Sequence, residues 1–255
     1  VTVSRFRQLL TENDVVLSAW AGLGDPVVHE ALLDAFDVLT LDVQHGLQGM
    51  EEIREGCARA VFKNKPAMVR VPVGDLAMAG RVLDFGATGV ILPMVNSADE
   101  ASHFARSLLY PPKGTRSFGP ARALSLFGAA SAESYIAEAN EAVLSLAMIE
   151  TAGAYREIDA ILAVPELGGV FVGPSDLSLA LGGRLDPNGA ATDEAAQAIC
   201  RKAKDGGKVA AVYAANAADA RRYRAMGYDL ICVASDIALL RQASLALCAD
   251  IKRAL

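Results

Sequence analysis

Eight short runs of β-branched and apolar residues recur along this chain, each followed by a longer Ala-rich stretch with helical periodicity. The runs fall at residues 15–20, 38–42, 67–71, 89–93, 143–149, 168–172, 208–213 and 230–233. The stretches between them read as amphipathic helices, as in "PVVHEALLDAF" and "ADEASHFARSLL". Runs such as "GVILPMV" and "GGVFVG" are apolar on both faces, which suits a parallel sheet covered outside by helices. Alternating strands and helices leave two architectures, a doubly wound open sheet and a closed barrel. Eight units without a GxGxxG fingerprint favour the barrel. The length of 255 residues matches one (β/α)8 TIM barrel, typically ~250 residues. We therefore expect an α/β fold with a single domain over residues 1–255.

The remaining totals narrow the function. Apolar residues make up 53% and charged residues 21%, so a buried core is expected and disorder is not. A net charge of −6 argues against a nucleic-acid or anionic-membrane partner. The opening "VTVSRFRQLL" has no signal-type apolar stretch, and no later run approaches ~18 uninterrupted apolar residues. A cytoplasmic protein is the expectation. Cys57, Cys200, Cys232 and Cys248 show no metal-binding spacing and read as small buried hydrophobes in a reducing compartment. The longest irregular insert, "YPPKGTRSFGPARALSLFG" at 110–128, has the length of a functional loop. The stretch 237–255 reads as a long terminal helix.

In a (β/α)8 barrel, functional residues sit just after the strands on the C-terminal face. The residues at those strand ends are therefore informative. Trp20 ends the first; Asp42, Gln44 and His45 come after the second; Arg70 ends the third; Glu150 comes after the fifth; and "GPSDLS", with Ser175 and Asp176, comes after the sixth. Singly, each has a structural role to compete with: a rim salt bridge for Arg70, helix caps for Glu150 and Asp176, a loop role for His45, packing for Trp20. Gathered on one rim, they point to a site. His29 and His103 lie within helical patterns and read as structural or solvent-facing, and Met68, Met94 and Met148 as core.

Two carboxylates at adjacent strand ends make a hard oxygen site, suited to Mg²⁺ or Mn²⁺ holding several waters and a chelating substrate. The amides at Ser175 and Asp176 begin a helix and can hold an anionic oxygen. Arg70 offers a fixed positive fork for a developing oxyanion. Asp42 can orient His45 as a general acid/base. Together these describe enolate chemistry on a small keto acid. A Schiff-base route needs a lysine at an inner strand end. Lys63, Lys65, Lys113, Lys202, Lys204, Lys208 and Lys252 all fall elsewhere.

The motifs "LDVQHG", "RVP", "ILPMVNSADEA", "YPPKGTRSFGP", "IET" and "GVFVGPSDLS" occur in this order. Together they resemble the HpcH/HpaI family of class II, metal-dependent pyruvate aldolases, of the phosphoenolpyruvate/pyruvate-binding barrel superfamily. The likeness runs from about Trp20 to the terminal helix. It implies a homohexamer, a trimer of dimers with the last helix exchanged between subunits. It implies reversible cleavage of 4-hydroxy-2-keto acids to pyruvate or hydroxypyruvate plus an aldehyde, with Mg²⁺, Mn²⁺ or Co²⁺. In that resemblance Glu150 and Asp176 match the metal ligands. Arg70 matches the enolate-steadying arginine, and His45 with Asp42 the acid/base. Ser175 matches the donor-carboxylate contact, Trp20 covers the site, and Asp84 matches an acidic residue delivered across a subunit interface. Many relatives carry Gln where this chain has Met148, which bears on donor choice. Arg116 and Arg122 are candidates for acceptor or interface contacts. The alternatives are a citryl- or malyl-CoA-type lyase and a catalytically silent keto-acid-binding barrel.

Overall fold

The computed structural model describes residues 2–254. Eight parallel strands close on themselves in chain order: β1 Val16–Ala21, β2 Val38–Asp42, β3 Ala67–Arg70, β4 Gly89–Leu92, β5 Leu144–Ile149, β6 Gly169–Val172, β7 Val209–Ala214 and β8 Leu230–Ser235. Each expected strand is present within two residues of its expected bounds. Helices lie between successive strands, so the fold is a (β/α)8 TIM barrel.

The strand sequences are apolar throughout because both faces are covered, and their period of two sorts side chains between two cores. Outward positions such as Leu39, Leu41, Val69 and Val90 pack under the helices. Inward positions such as Val38, Met68, Ile91, Leu144 and Phe171 fill the barrel axis. Helix Arg5–Glu12 comes before β1 and sends Phe6 and Leu9 into that axial core, closing the N-terminal end of the barrel.

Helix starts obey local chemistry. Asp25 accepts hydrogen bonds from the N–H groups of Val27 and Val28, with Pro26 in the first helical position. Ser97 and Asn216 cap the helices Ala98–Ser107 and Ala217–Met226 in the same way. The insert at 110–128 is irregular only in its first half. Residues Ala121–Phe127 form a helix, with Ala123 buried and Gly128 closing it in the left-handed conformation.

Two expectations are corrected. Met94 is not core: it comes after β4, is 40% exposed, and has a left-handed backbone at φ 59°. Cys57, Cys200 and Cys232 are buried as expected, but Cys248 is exposed on the last helix, Asp236–Ala254. That helix leaves Leu240, Leu245, Leu247 and Ile251 uncovered in the single chain. Among the described residues no helix is long and apolar enough to cross a membrane.

Candidate active site

The alternation that fills the axis also selects the residues at its open end. Counting in steps of two from Val38 reaches Asp42, from Met68 reaches Arg70, and from Leu144 reaches Met148 and then Glu150. Each therefore turns inward at the C-terminal mouth. A cavity of about 220 Å³ opens there. Trp20, Arg70, Met148 and Tyr213 line it on the barrel side, and Ser175, Asp176 and Ser235 on the rim.

The β2–β3 register sets Asp42 directly opposite Arg70. The two form a buried, two-pronged ion pair, with Nε to Oδ1 at 2.8 Å and Nη2 to Oδ2 at 2.7 Å. Trp20 Nε1 donates to Asp42 Oδ2 at 3.3 Å, and the Arg70 guanidinium lies 4.7 Å from the Trp20 ring centre. These contacts leave no rotamer freedom to the guanidinium and leave its Nη1 without a protein partner among the described residues.

Asp42 does not orient the His45 ring. Its Oδ1 accepts instead from the backbone N–H groups of Gln44 at 3.1 Å and His45 at 3.4 Å, fixing the turn after β2. Gly46 belongs to that turn, where a Cβ would come within 2.1 Å of the Asp42 carbonyl oxygen. The imidazole of His45 is exposed on this loop, with no protein hydrogen bond to its ring among the described residues.

Glu150 is buried at the end of β5. Its Oε1 accepts from the Met94 N–H at 2.8 Å, and Oε2 has no such partner among the described residues. Burial pushes its carboxyl up, and the negative charge of Asp176 adds to this. The Met94 N–H and the charge of Arg70 pull the other way. Gly173 makes room for the free oxygen, since a Cβ there would stand 2.8 Å from Oε2. Asp176 is exposed in the first turn of helix Pro174–Gly182. The N–H groups of Ser175 and Asp176 precede the first intrahelical bond, made by Leu177 to the Gly173 carbonyl at 2.9 Å.

Two carboxylates, of which Asp176 opposes the ionisation of Glu150 and Glu150 keeps a free oxygen, are a donor set fitted to a hard divalent cation that keeps several waters. No cluster of three or more His, Cys, Asp or Glu side chains with metal-binding geometry occurs among the described residues.

Asp84 lies at the C-terminal end of helix Leu76–Asp84, away from the cavity, and accepts from Arg116 Nη2 at 2.7 Å. Arg122 faces Glu55 at 3.7 Å. Within one chain the mouth thus unites Trp20, Asp42, Arg70, Glu150, Ser175 and Asp176, with His45 on its outer loop and Asp84 elsewhere. Tyr213 and Ser235 are additions that the sequence did not suggest. Tyr213 packs edge-on to Trp20 with ring centres 5.4 Å apart, and burial pushes its phenol up. Its inward parity, two residues beyond Ala211, was the available signal.

The profile of the HpcH/HpaI aldolase/citrate lyase family matches residues 20–243. The chain belongs to that family. A hydroxypyruvate/pyruvate aldolase from Roseovarius nubinhibens is 34% identical over 238 residues, 93% of this chain and 92% of the relative. A 5-keto-4-deoxy-D-glucarate aldolase from Shigella dysenteriae serotype 1 is 31% identical, covering 94% of each chain. A HpcH/HpaI aldolase/citrate lyase family protein from Burkholderia cenocepacia J2315 superposes with a TM-score of 0.89 at 27% identity, over 98% of this chain and 99% of the other. As a member of this family, the protein is a carbon–carbon lyase.

Proposed function

We infer that the chain, 1–255, is a class II aldolase domain that cleaves 4-hydroxy-2-keto acids reversibly to pyruvate or hydroxypyruvate and an aldehyde. The observation that carries this reading is the pairing, at the C-terminal mouth of the barrel, of a carboxylate oxygen left free on Glu150 with an arginine locked by Asp42. Glu150 lies close enough to feel the charges of Arg70 and Asp176, which line the cavity there. The 34% identical relative is named for both donors, in keeping with that reading.

Glu150 and Asp176 would hold the divalent ion, Mg²⁺, Mn²⁺ or Co²⁺, which when bound supplies a Lewis acid for a keto oxygen. The chain's own groups do the rest. The N–H groups of Ser175 and Asp176 hold the donor carboxylate. His45 takes the proton from the 4-hydroxyl oxygen as the C3–C4 bond breaks. The Arg70 Nη1–H faces the charge that develops on the keto oxygen, and its orientation by Asp42 means no reorganisation is needed as that charge grows. Trp20 and Tyr213 keep that side of the cavity dry. With Met148 beside it, the donor meets a thioether and not an amide, which leaves hydroxypyruvate open alongside pyruvate.

Asp84 from a second copy would serve His45, consistent with the single chain's uncovered His45 and with the apolar flank of helix Asp236–Ala254, which a neighbouring subunit would cover in a hexamer. We read the protein as cytoplasmic, in line with its four free cysteines.

The test is proton–deuterium exchange at the pyruvate methyl in D₂O, tracked by NMR with Mn²⁺ or Mg²⁺, and with EDTA. Exchange should require metal and be lost in Glu150→Gln. No exchange with either pyruvate or hydroxypyruvate under any metal would sink the aldolase reading and favour a silent binding barrel.

A further inference from the structure

Met94 is the unexplained residue at the mouth. A left-handed backbone at φ 59° is unfavourable for a side chain of this kind, and a Met that is 40% exposed has no packing role that demands it. What the conformation achieves is local: it aims the Met94 N–H at Glu150 Oε1, 2.8 Å away.

The strained residue is held on its other side, at the peptide that follows it, by Asn96. Asn96 Nδ2 donates to the Met94 carbonyl oxygen at 2.7 Å. Asn96 Oδ1 in turn accepts from the hydroxyl of Thr151, whose oxygen accepts from the Ala154 N–H at 3.0 Å and so has its proton directed at Asn96. Thr151 is the residue bonded to Glu150. The contacts therefore close a ring: Glu150 to Met94, Met94 to Asn96, Asn96 to Thr151, and Thr151 back to Glu150 through the chain. The ring bridges the loops after β4 and β5 and fixes one oxygen of Glu150, leaving the other for a ligand.

We propose that Asn96 is a positioning residue: by holding the left-handed backbone of Met94 it presents Glu150 Oε2 to a divalent cation. This rests on the reading of Glu150 as a metal ligand. The Asn96 backbone N–H has a separate task, donating to Glu100 Oε2 at 2.7 Å, which side-chain substitution leaves in place.

The experiment is Mn²⁺ titration of the full-length, substrate-free protein, with free Mn²⁺ read by its electron paramagnetic resonance signal. Wild type should bind and Glu150→Gln should not. Asn96→Ala should bind about 10–100-fold more weakly, the usual effect of losing a group that orients a metal ligand. Adding Met94→Gly to Asn96→Ala should recover part of that loss, because glycine reaches φ near 60° without the steric cost that a methionine side chain carries there. A general structural role for Asn96 gives no such rescue. If Asn96→Ala fails to fold, Thr151→Ala opens the same ring from its other side and should weaken binding in its place. An affinity within about twofold of wild type for the ring-opening variant, with Glu150→Gln still inactive in binding, overturns the role of Asn96 alone. Absence of Mn²⁺ binding by wild type overturns both this role and the metal-dependent reading of the site.

Discussion

Replacing Gly173 with alanine asks whether the site is built around the free oxygen of Glu150. Gly173 has φ −98° and ψ 90°, a region open to alanine, so the added methyl acts through space and not through backbone strain. Its Cβ would lie 2.7 Å from Met148 Cε and 2.8 Å from Glu150 Oε2, where ordinary contact begins at 3.4 Å. The thioether methyl ends a flexible chain and swings aside at little cost. The carboxylate has no such freedom, because Oε1 is tied to the Met94 N–H. Oε2 must then shift by roughly 0.6 Å, against a rule that a 1 Å misplacement costs on the order of 10²-fold. We expect the rate of pyruvate methyl exchange to fall about 10–100-fold, or ~1.4–2.7 kcal/mol of transition-state stabilisation. The fold should lose no more than about 1–3 kcal/mol from overpacking, read by urea denaturation. A folded alanine variant that exchanges at the wild-type rate would refute the claim that the site is built around the free Oε2 of Glu150.

Other perturbations probe the surrounding framework. Asp42→Ala leaves Arg70 buried without its carboxylate and should cost about 3–5 kcal/mol in urea denaturation, together with a loss of exchange activity; a cost under about 1 kcal/mol would show that the pair is not a buried clamp. Buried His29 donates through Nε2 to the Leu23 carbonyl at 2.8 Å, and burial holds its pKa below the ordinary value. The unfolded chain therefore binds a proton that the folded chain resists, so this contribution to stability is complete above about pH 6.5 and is lost as pH falls below it. Between about pH 7.5 and 5.5, wild type should lose more stability than His29→Gln; equal losses would remove His29 from the acid response.

The strands were legible because a two-sided burial pattern has few other readings. "LAMIE" alternates outward aliphatics with inward residues that become polar only at the last position, and "VLTLD" does the same apart from Thr40, which is hydrogen-bonded to Ser18 inside the barrel. Position in that alternation was enough to bring Asp42, Arg70 and Glu150 to one mouth. Partner choice was not legible. Asp42 and His45 are neighbours in sequence, which suggested a dyad, yet the register between two strands 28 residues apart gives the carboxylate to Arg70. Met94 read as core because it continues an apolar run, and only the turn after β4 reveals that its peptide has a polar task. Tyr213 was hidden for the opposite reason, since an aromatic at a strand end looks like packing until the cavity beside it is seen.

The plug made by Phe6 and Leu9 turns the barrel into a cul-de-sac. Whatever enters by the mouth has to leave by it, and two ligands that share a doorway queue. The compound seated deeper arrives first and departs last, while the outer one comes and goes on top of it. For an aldol cleavage with its keto-acid half held at the inner wall, product release is then compulsory in order: the aldehyde leaves first, and the keto acid, as the last to go, inhibits in competition with fresh substrate.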